Sequence, residues 1–202
     1  MLGREDQGNG EPVTEDTGGR TKRAVPLWTQ LLIWAALVGL LVVVGIGLRR
    51  AQQGTVQPGE RIPEFTLTLF SGYEYEGRNT VSLSELKGSI VVLNFWASWC
   101  KPCEQEAAEL QAASQLYSAR GDVVFIGADY VDTEPEARTY LRKFGITYPN
   151  GPDLGTRISQ IFRIRGVPET YFIDRDGVLR YVKVGPFGSL EEITSIVDGL
   201  LD

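Results

Sequence analysis

The sequence predicts an α/β domain, a mixed sheet flanked by helices, that follows one transmembrane helix. Three observations lead to this fold class. Strand-like and helix-like segments alternate in the C-terminal two thirds of the chain, the only two cysteines form a CxxC motif between a strand and a helix, and an uncharged apolar run lies near the N-terminus. Alternating segments of this kind form helices packed on a sheet. With 202 residues, 43% hydrophobic, the chain has room for one such domain and an additional segment.

The N-terminal part of the chain separates into a tail and an apolar run. Residues 1–26 are rich in Gly, Glu, Asp and Thr, which predicts a disordered tail. Residues 27–48 carry no charge, and at about 1.5 Å per residue they are long enough to cross the roughly 30 Å hydrocarbon layer. A cleaved signal peptide is the alternative, but its apolar region would be shorter and would end in small residues. We therefore expect an uncleaved transmembrane signal anchor.

Basic residues on both sides of the apolar run set its expected orientation. Arg4, Arg20, Lys22 and Arg23 precede the run, whereas Arg49 and Arg50 follow it. When the segment before a membrane span is short, the side of the span that carries more lysine and arginine stays in the cytoplasm. The tail is therefore expected to be cytoplasmic, and the C-terminal domain is expected on the periplasmic or outer side of the cell membrane.

The folded domain is expected to span residues 62–202, after a polar linker at 49–61. Apolar and polar residues alternate at 65–69, which predicts a half-buried strand, and a polar turn leads to a second short strand around Val81 and Leu83. A helical turn is expected at 84–88. The run at 90–96 (IVVLNFW) is apolar except for one residue and predicts a buried central strand.

The rest of the domain continues the alternation. The spacing of apolar residues identifies the helices and strands after residue 101, and turn residues, together with Gly145 at the end of one helix, mark where they end. In chain order they are a helix at 102–117, a strand at 122–128, helices at 134–144 and 156–162, strands at 170–173 and 178–184 that form a hairpin, and a helix at 189–201. The element order is therefore β-β-β-α-β-α-α-β-β-α.

The CxxC motif lies where the central strand gives way to a helix. The free amides and positive dipole end of that helix favour an anion, so Cys100 is expected to be partly thiolate near neutral pH. A zinc site needs more ligands, but the chain has no histidine and no third cysteine. A structural disulfide across so short a loop would stabilise little, and covalent haem attachment needs a histidine where Glu104 stands. We interpret Cys100 and Cys103 as a redox dithiol that requires no metal or other cofactor.

Two segments carry a resemblance to a known family. They are VVLNFWASWCKPCEQE, residues 91–106, and GVPETYFIDRDG, residues 166–177. In these segments, the chain resembles the thioredoxin superfamily, and within it the membrane-anchored extracytoplasmic group that includes TlpA, ResA and CcmG (DsbE). The resemblance covers roughly residues 62–201. It implies a thioredoxin-like fold with an N-terminal β-hairpin extension, and thiol:disulfide oxidoreductase activity.

The resemblance also implies roles for particular residues. Cys100 would be the exposed attacking thiol and Cys103 the buried resolving thiol, and together they would form the redox-active disulfide. Trp99 and Pro168 would position the substrate, and Pro168 is expected to follow a cis peptide bond.

Glu106 is the candidate proton acceptor and donor. Ordinary cytoplasmic thioredoxins carry an aspartate where this chain has Asn94, and an asparagine cannot exchange a proton. Glu106 lies one helical turn after Cys103 and matches the active-site glutamate of the ResA and CcmG group. Burial near the dithiol would raise its pKa and suit it to proton transfer. The alternative is an ordinary solvated helix glutamate.

The resemblance finally implies a reductive role. The expected client is apocytochrome c during cytochrome c maturation, or a related disulfide-containing protein, with electrons from a membrane donor of the CcdA or DsbD type and no nucleic-acid partner. Two alternatives stay open: a peroxiredoxin-like peroxidase, which would carry a threonine where Ala97 stands, and a non-catalytic docking module of a cytochrome-assembly complex.

Overall fold

The computed structural model describes residues 26–51 and 56–201, which fall into two compact units. The described part of the first unit is one helix, and the second unit contains all the strands described. The predicted tail at 1–26 lies outside the described residues except for Pro26. Part of the predicted linker, residues 52–55, also lies outside them.

Helix α1, Leu27–Ala51, corresponds to the predicted transmembrane segment and ends slightly later than expected. Its first turn is closed by Thr29, whose amide donates to the Pro26 carbonyl at 3.0 Å. Within the described ranges, the part of α1 at Leu27–Ile46 is the one helical segment long and apolar enough to cross a membrane. Most of the large apolar side chains between Leu27 and Ile46 are exposed.

The second unit is built on a mixed sheet. Its strands are β1 Thr66–Thr68, β2 Thr80–Ser82, β3 Ile90–Trp96, β4 Val123–Asp129, β5 Asn150–Pro152, β6 Glu169–Ile173 and β7 Leu179–Val184. The first two form a separate antiparallel hairpin, and the other five form one sheet in the order β5-β4-β3-β6-β7. Within that sheet, β3, β4 and β5 are parallel, whereas β6 is antiparallel to both β3 and β7. The predicted fold class and the N-terminal hairpin are confirmed.

Four helices accompany the sheet. They are α2 Lys101–Tyr117, α3 Glu134–Lys143, α4 Arg157–Phe162 and α5 Leu190–Leu201, with short 3-10 turns at Leu83–Leu86 and Leu154–Thr156. The helix bounds agree closely with those predicted from apolar spacing.

The two central strands are covered on both faces. Every residue of β3 and β4 is buried, as expected for strands that lie between layers of helices. Alternate side chains of β3 enter two different cores. Ile90, Val92 and Trp96 pack in the core that includes α2 and α5, whereas Val91, Leu93 and Phe95 pack in the core that includes α4 and the hairpin.

Strand β5 was missed by the sequence prediction because Asn150, Gly151 and Pro152 form no apolar run and are rare in strands. It is an edge strand, where a proline is tolerated. Gly151 is needed for close packing, since a Cβ there would lie 1.9 Å from the Thr68 carbonyl oxygen. The amide of Phe70 donates to the Asn150 carbonyl at 2.8 Å. The N-terminal hairpin segment therefore covers this edge.

In this topology, the segments that follow β3 and β4 and the segment that precedes β6 lie at the same end of the sheet. The CxxC motif follows β3, the central strand. Trp96 at the end of β3 is paired with Asp129 at the end of β4, and the neighbouring Phe95 is paired with Glu169 at the start of β6. Pro168, which precedes β6, therefore lies at the same end of the sheet as the cysteines.

Candidate redox-active site

Cys100 and Cys103 form a disulfide at the N-terminus of α2, with an S–S distance of 2.02 Å. Cys100 is the residue that caps the helix, and its Sγ accepts a hydrogen bond from the Cys103 amide at 3.1 Å. The sulfur of Cys100 therefore lies where the helix dipole and a free amide would stabilise a thiolate after reduction.

The expected exposure of Cys100 is wrong for this oxidised form. The residue is only 3% exposed, compared with 0% for Cys103. The physical reason is packing: Cys100 belongs to the buried core cluster that also contains Cys103 and Phe187.

Trp99 and Pro168 differ in how they are presented at the site. Trp99 is 58% exposed beside Cys100, and its indole N–H donates to the Val131 carbonyl at 3.0 Å. Pro168 follows a cis peptide bond from Val167 and is buried. Val167 packs against the core cluster that contains both cysteines. Trp99 is thus exposed next to Cys100, whereas Pro168 is buried at the same end of the sheet.

Glu106 is buried on α2 one turn after Cys103, with 1% of its surface exposed. Burial raises the pKa of Glu106 to about 7, against the opposing effects of hydrogen bonds from Phe187 and Asn94 and of the Lys183 charge. The Phe187 amide donates to Oε2 at 3.0 Å, and the Asn94 side chain donates to Oε1 at 2.8 Å. A carboxyl group that titrates near neutral pH can both accept and return a proton. The solvated alternative for Glu106 does not apply.

Glu104 lies two residues before Glu106 on the same helix, but its carboxylate is at the surface. Its carboxylate accepts hydrogen bonds from Lys101 and from Lys143, each at 3.2 Å, at the surface. The bond from Lys101 and then the bond from Lys143 lower the pKa of Glu104. The two neighbouring glutamates therefore provide a matched pair, one buried and one in surface ion pairs.

The two hydrogen bonds that the Asn94 side chain donates explain why an asparagine suits this position better than an aspartate. Its side-chain amide donates to Glu106 and also to Thr170 Oγ1 at 2.9 Å. An ionised aspartate could donate neither bond and would place a second negative charge beside Glu106. Thr170 was not assigned a role from the sequence, although it lies within the matched GVPET segment. Its contact with Asn94 depends on the pairing of β6 with β3.

Tyr140, Asn150 and Gly127 support the end of β3 and the start of α2 through their contacts with Cys103 and Trp96, and no local motif identified these three residues. The Tyr140 hydroxyl donates to the Cys103 carbonyl at 2.8 Å, and the Tyr140 ring stacks on Trp96 at 4.5 Å between ring centres. The Trp96 indole donates to Asn150 Oδ1 at 2.9 Å. Gly127 leaves room for this pair, since a Cβ there would lie 1.7 Å from the same oxygen. These contacts fix the end of β3 against α3.

The chemistry available at the site is that of the dithiol and the neighbouring carboxyl group. Among residues 26–51 and 56–201, no group of three or more Cys, His, Asp or Glu side chains is placed to hold a metal ion. What the site brings together is a reducible disulfide at a helix N-terminus and a buried carboxyl group with a pKa of about 7. This combination suits thiol–disulfide exchange with internal proton transfer.

Comparisons with known proteins agree with this chemistry. The AhpC/TSA family matches residues 58–182. The chain is 32% identical over 147 residues to thiol-disulfide oxidoreductase ResA of a Bacillus cereus strain, which covers 73% of this chain and 79% of that protein. It is 34% identical over 141 residues to thiol:disulfide interchange protein DsbE of Allochromatium vinosum, covering 67% and 72%. A crystal structure of a thioredoxin-family thiol:disulfide interchange protein from Chlorobium tepidum TLS superposes with a TM-score of 0.63 at 27% identity, covering 73% of this chain and 99% of that one.

Proposed function

The chain belongs to the AhpC/TSA family and is a thiol-disulfide oxidoreductase of the ResA and DsbE type, and we propose that it reduces client disulfides through Cys100, Cys103 and Glu106. The observation that carries this proposal is the burial of Glu106 one helical turn from the disulfide, with its pKa at about 7. A group at that position can take the proton that the second cysteine must lose before it attacks.

The proposed reaction runs in two steps from the reduced protein. The Cys100 thiolate attacks one sulfur of the client disulfide, which forms a mixed disulfide and releases the other client sulfur as a thiolate. The Cys103 thiol then gives its proton to the Glu106 carboxylate and attacks the Cys100 sulfur. This second attack closes the Cys100–Cys103 disulfide and releases the remaining client thiolate. The client gains two electrons, the protein loses two, and the client thiolates take up protons from water.

The proposed client is the CxxCH segment of apocytochrome c, or the cysteines of a related protein. Support comes from the resemblance to the ResA and CcmG (DsbE) group and from the identity with proteins that carry those names. Each turnover leaves the protein oxidised. We therefore propose a membrane electron donor of the CcdA or DsbD type, which would return two electrons to the disulfide.

Membrane tethering is part of the same proposal. Helix α1 supplies an apolar segment of sufficient length, and the excess of basic residues before it favours a cytoplasmic N-terminus. The proposed organisation is a cytoplasmic tail at 1–26, a transmembrane helix at 27–48, a linker at 49–61 and an extracytoplasmic thioredoxin-like domain at 62–202.

One vesicle experiment tests both the activity and the side on which it is exposed. Sealed right-side-out and inverted membrane vesicles that contain the full chain are reduced with dithiothreitol, freed of it, and given an oxidised CxxCH peptide. We expect right-side-out vesicles to reduce the peptide at once and inverted vesicles to do so only after detergent is added. Vesicles with Cys100→Ser give the background rate. Activity in the soluble fraction, or activity on the inverted side without detergent, would contradict the proposed anchoring or orientation.

Neither alternative function is favoured by an observation at the site. The position where a peroxiredoxin-type peroxidase would carry a threonine is Ala97, which is buried and has no hydroxyl group to assist a peroxide. A non-catalytic docking module would not require a buried carboxyl group with a pKa near neutrality beside its cysteines.

A further inference from the structure

A partly buried ion pair lies beside the loop that contacts Glu106, and the proposed reaction gives neither member of the pair a role. Lys183 is on β7, and Glu192 is in the first turn of α5. The Lys183 ammonium contacts Glu192 Oε1, and the two side chains are 22% and 34% exposed. An ion pair near the surface contributes little to stability by itself. The importance of this pair therefore depends on what else its members hold.

Glu192 holds the loop between β7 and α5. Its second oxygen, Oε2, accepts the Gly188 amide at 2.9 Å. A glutamate at the third position of a helix commonly accepts the amide of the capping residue, which here is Ser189, whose Oγ accepts the Glu192 amide at 3.3 Å. The Glu192 carboxylate instead contacts the residue before that cap and Lys183. It thus ties the loop to β7 as well as to its own helix.

The same loop supplies a hydrogen bond to Glu106. The Phe187 amide donates to Glu106 Oε2 at 3.0 Å, and the next amide along the chain, that of Gly188, donates to Glu192. Two consecutive amides are therefore shared between two carboxylates, and a displacement of one amide displaces the other. Lys183 Nζ lies 5.5 Å from the centre of the buried Phe187 ring. Both members of the ion pair thus contact the residues that reach Glu106.

The other oxygen of Glu106 is held from the sheet. Asn94 donates to Oε1 and also to Thr170. Thr170 is paired with Lys183 across the antiparallel strands β6 and β7, and the side chains of directly paired residues lie on the same face of a sheet. Lys183 therefore connects the sheet side of the Glu106 environment with its loop side.

The titratable groups that face Glu106 come from its own helix, from two other helices, from β7 and from the segment before β5. They are Cys103, Tyr140, Glu192, Lys183 and Tyr148. Burial raises the pKa of both tyrosines well above neutral pH, so both remain uncharged there. Burial has the largest effect on the pKa of Glu106 and raises it, and the hydrogen bond from Phe187 is the next largest and lowers it. The charge of Lys183 lowers this pKa less, and the charge of Glu192 raises it least.

We propose that Lys183 and Glu192 are positioning residues for the proposed reaction, which hold the Phe187 amide against Glu106 and so keep that carboxyl group in place to exchange a proton with Cys103. The proposal rests on the proposed function, since it concerns the same proton transfer. Glu192 acts through the amide of the residue after Phe187, and Lys183 acts by holding the Glu192 carboxylate.

Position and charge predict opposite results for the loss of Glu192. If Glu192 acted only as a charge, its removal would lower the pKa of Glu106, because a neighbouring carboxylate raises it. If Glu192 holds the loop, its removal weakens the Phe187 hydrogen bond, which favours the ionised form, and the pKa of Glu106 rises. The hydrogen bond has the larger effect. We therefore expect Glu192→Ala to raise the pKa of Glu106 by about one pH unit.

The test is a titration of oxidised full-length protein in detergent, in which the disulfide prevents both cysteines from titrating. Glutamate labelled with carbon-13 at the side-chain carboxyl gives a resonance for Glu106, which is identified by its absence from Glu106→Gln. Wild type should titrate near about 7, and Glu192→Ala about one pH unit higher. In the reduced protein, release of a chromogenic thiol from Cys100 should slow about fivefold at pH 7, because a smaller fraction of Glu106 is then ionised.

Two further substitutions separate position from charge. Glu192→Gln keeps an oxygen that can accept the Gly188 amide but carries no charge, so the pKa of Glu106 should stay unchanged or fall slightly. Glu191→Ala is the matched control, because it removes the same charge from an exposed side chain one residue earlier in the same turn. It should leave the pKa of Glu106 and the release rate unchanged.

Lys183→Met provides a second measurement that does not depend on the folding of Glu192→Ala. This change frees the Glu192 carboxylate from β7, so the Phe187 amide should exchange with deuterium about fivefold faster than in wild type. Loss of the Lys183 charge alone would raise the pKa of Glu106 without changing this exchange rate.

Each contrary result has a defined meaning. A pKa of Glu106 that falls or stays unchanged in Glu192→Ala would show that the pair does not position the loop and would overturn the proposal. Unchanged exchange of the Phe187 amide in Lys183→Met would overturn it as well. Both results would leave the proposed function intact. That function fails instead if reduced wild type does not reduce an oxidised CxxCH peptide, whatever the titration shows.

Discussion

Cys100→Ser is expected to lower the rate of client reduction to below about one thousandth of the wild-type rate, because a serine hydroxyl does not attack a disulfide at neutral pH. Cys103→Ser should also stop turnover, but at a different point. It leaves the attacking thiolate in place and removes the thiol that releases the client. We therefore expect Cys103→Ser to accumulate a covalent mixed disulfide with an oxidised CxxCH peptide, and Cys100→Ser to accumulate none.

Mass spectrometry of acid-quenched samples measures both outcomes. The adduct on Cys103→Ser should have the mass of one peptide and should disappear on addition of dithiothreitol. Alkylation of the reduced wild-type protein provides an independent check, since Cys100 at the helix N-terminus should react much faster than the fully buried Cys103. Adducts on both variants, or equal alkylation of the two thiols, would contradict the assignment of attacking and resolving roles.

Glu106→Gln is expected to slow the resolving step about a hundredfold at pH 7, the lower end of what a positioned acid or base contributes. The step can be isolated by attaching a chromogenic thiol to Cys100 as a mixed disulfide and following its release by Cys103. In the wild type, release should accelerate as pH rises through about 7, because the Glu106 carboxyl group must lose its proton before it can accept one. Glutamine cannot be deprotonated, so this rise should be absent from the variant. Cys103 and Glu106 titrate as a coupled pair, so the wild-type profile gives apparent pKa values of the pair.

Glu104→Gln is the matched control for this variant. It makes the same chemical change two residues away, in a carboxylate held by surface ion pairs with Lys101 and Lys143. Exposed pairs of this kind contribute little to stability, so both the rate and its pH profile should be retained. If the two variants gave the same profile, Glu106 would have no role as proton acceptor, and only the cysteines would remain as reacting groups.

Most of the fold could be predicted because its central elements have strong local signals. The strand at 90–96 is an apolar run bounded by polar residues, and α2 follows it with apolar residues at helical spacing. Strand β5 had no such signal. Asn150 and Gly151 are buried by packing against Trp96 and the hairpin, which are distant in sequence. Their strand conformation follows from tertiary contacts and not from residue preference.

The site could be predicted only where the chain itself brings residues together. Cys100, Cys103 and Glu106 share one helix, so their spacing carries the information. The partners of Glu106 come from other elements: Asn94 from β3, and Phe187 from the segment between β7 and α5. The near absence of Cys100 exposure likewise reflects packing in a core cluster that includes Phe187 and Ile193, which are distant in sequence.

The reduction potential of the Cys100–Cys103 couple tests the central claim, that the protein is a reductant, most directly. The reduction potential falls as the thiolate form is stabilised less. The helix N-terminus stabilises the Cys100 thiolate, whereas the carboxylate of Glu106 near the dithiol opposes thiolate formation, so the net stabilisation is expected to be modest. Redox titration of the full-length protein at pH 7 against glutathione or dithiothreitol buffers, read by alkylation and mass, gives the value. We expect a potential between about −270 and −200 mV, in the range of thioredoxin and the glutaredoxins. A potential near about −120 mV, as in the strong oxidant DsbA, would mean that the protein donates disulfides and would contradict the proposed reductive function.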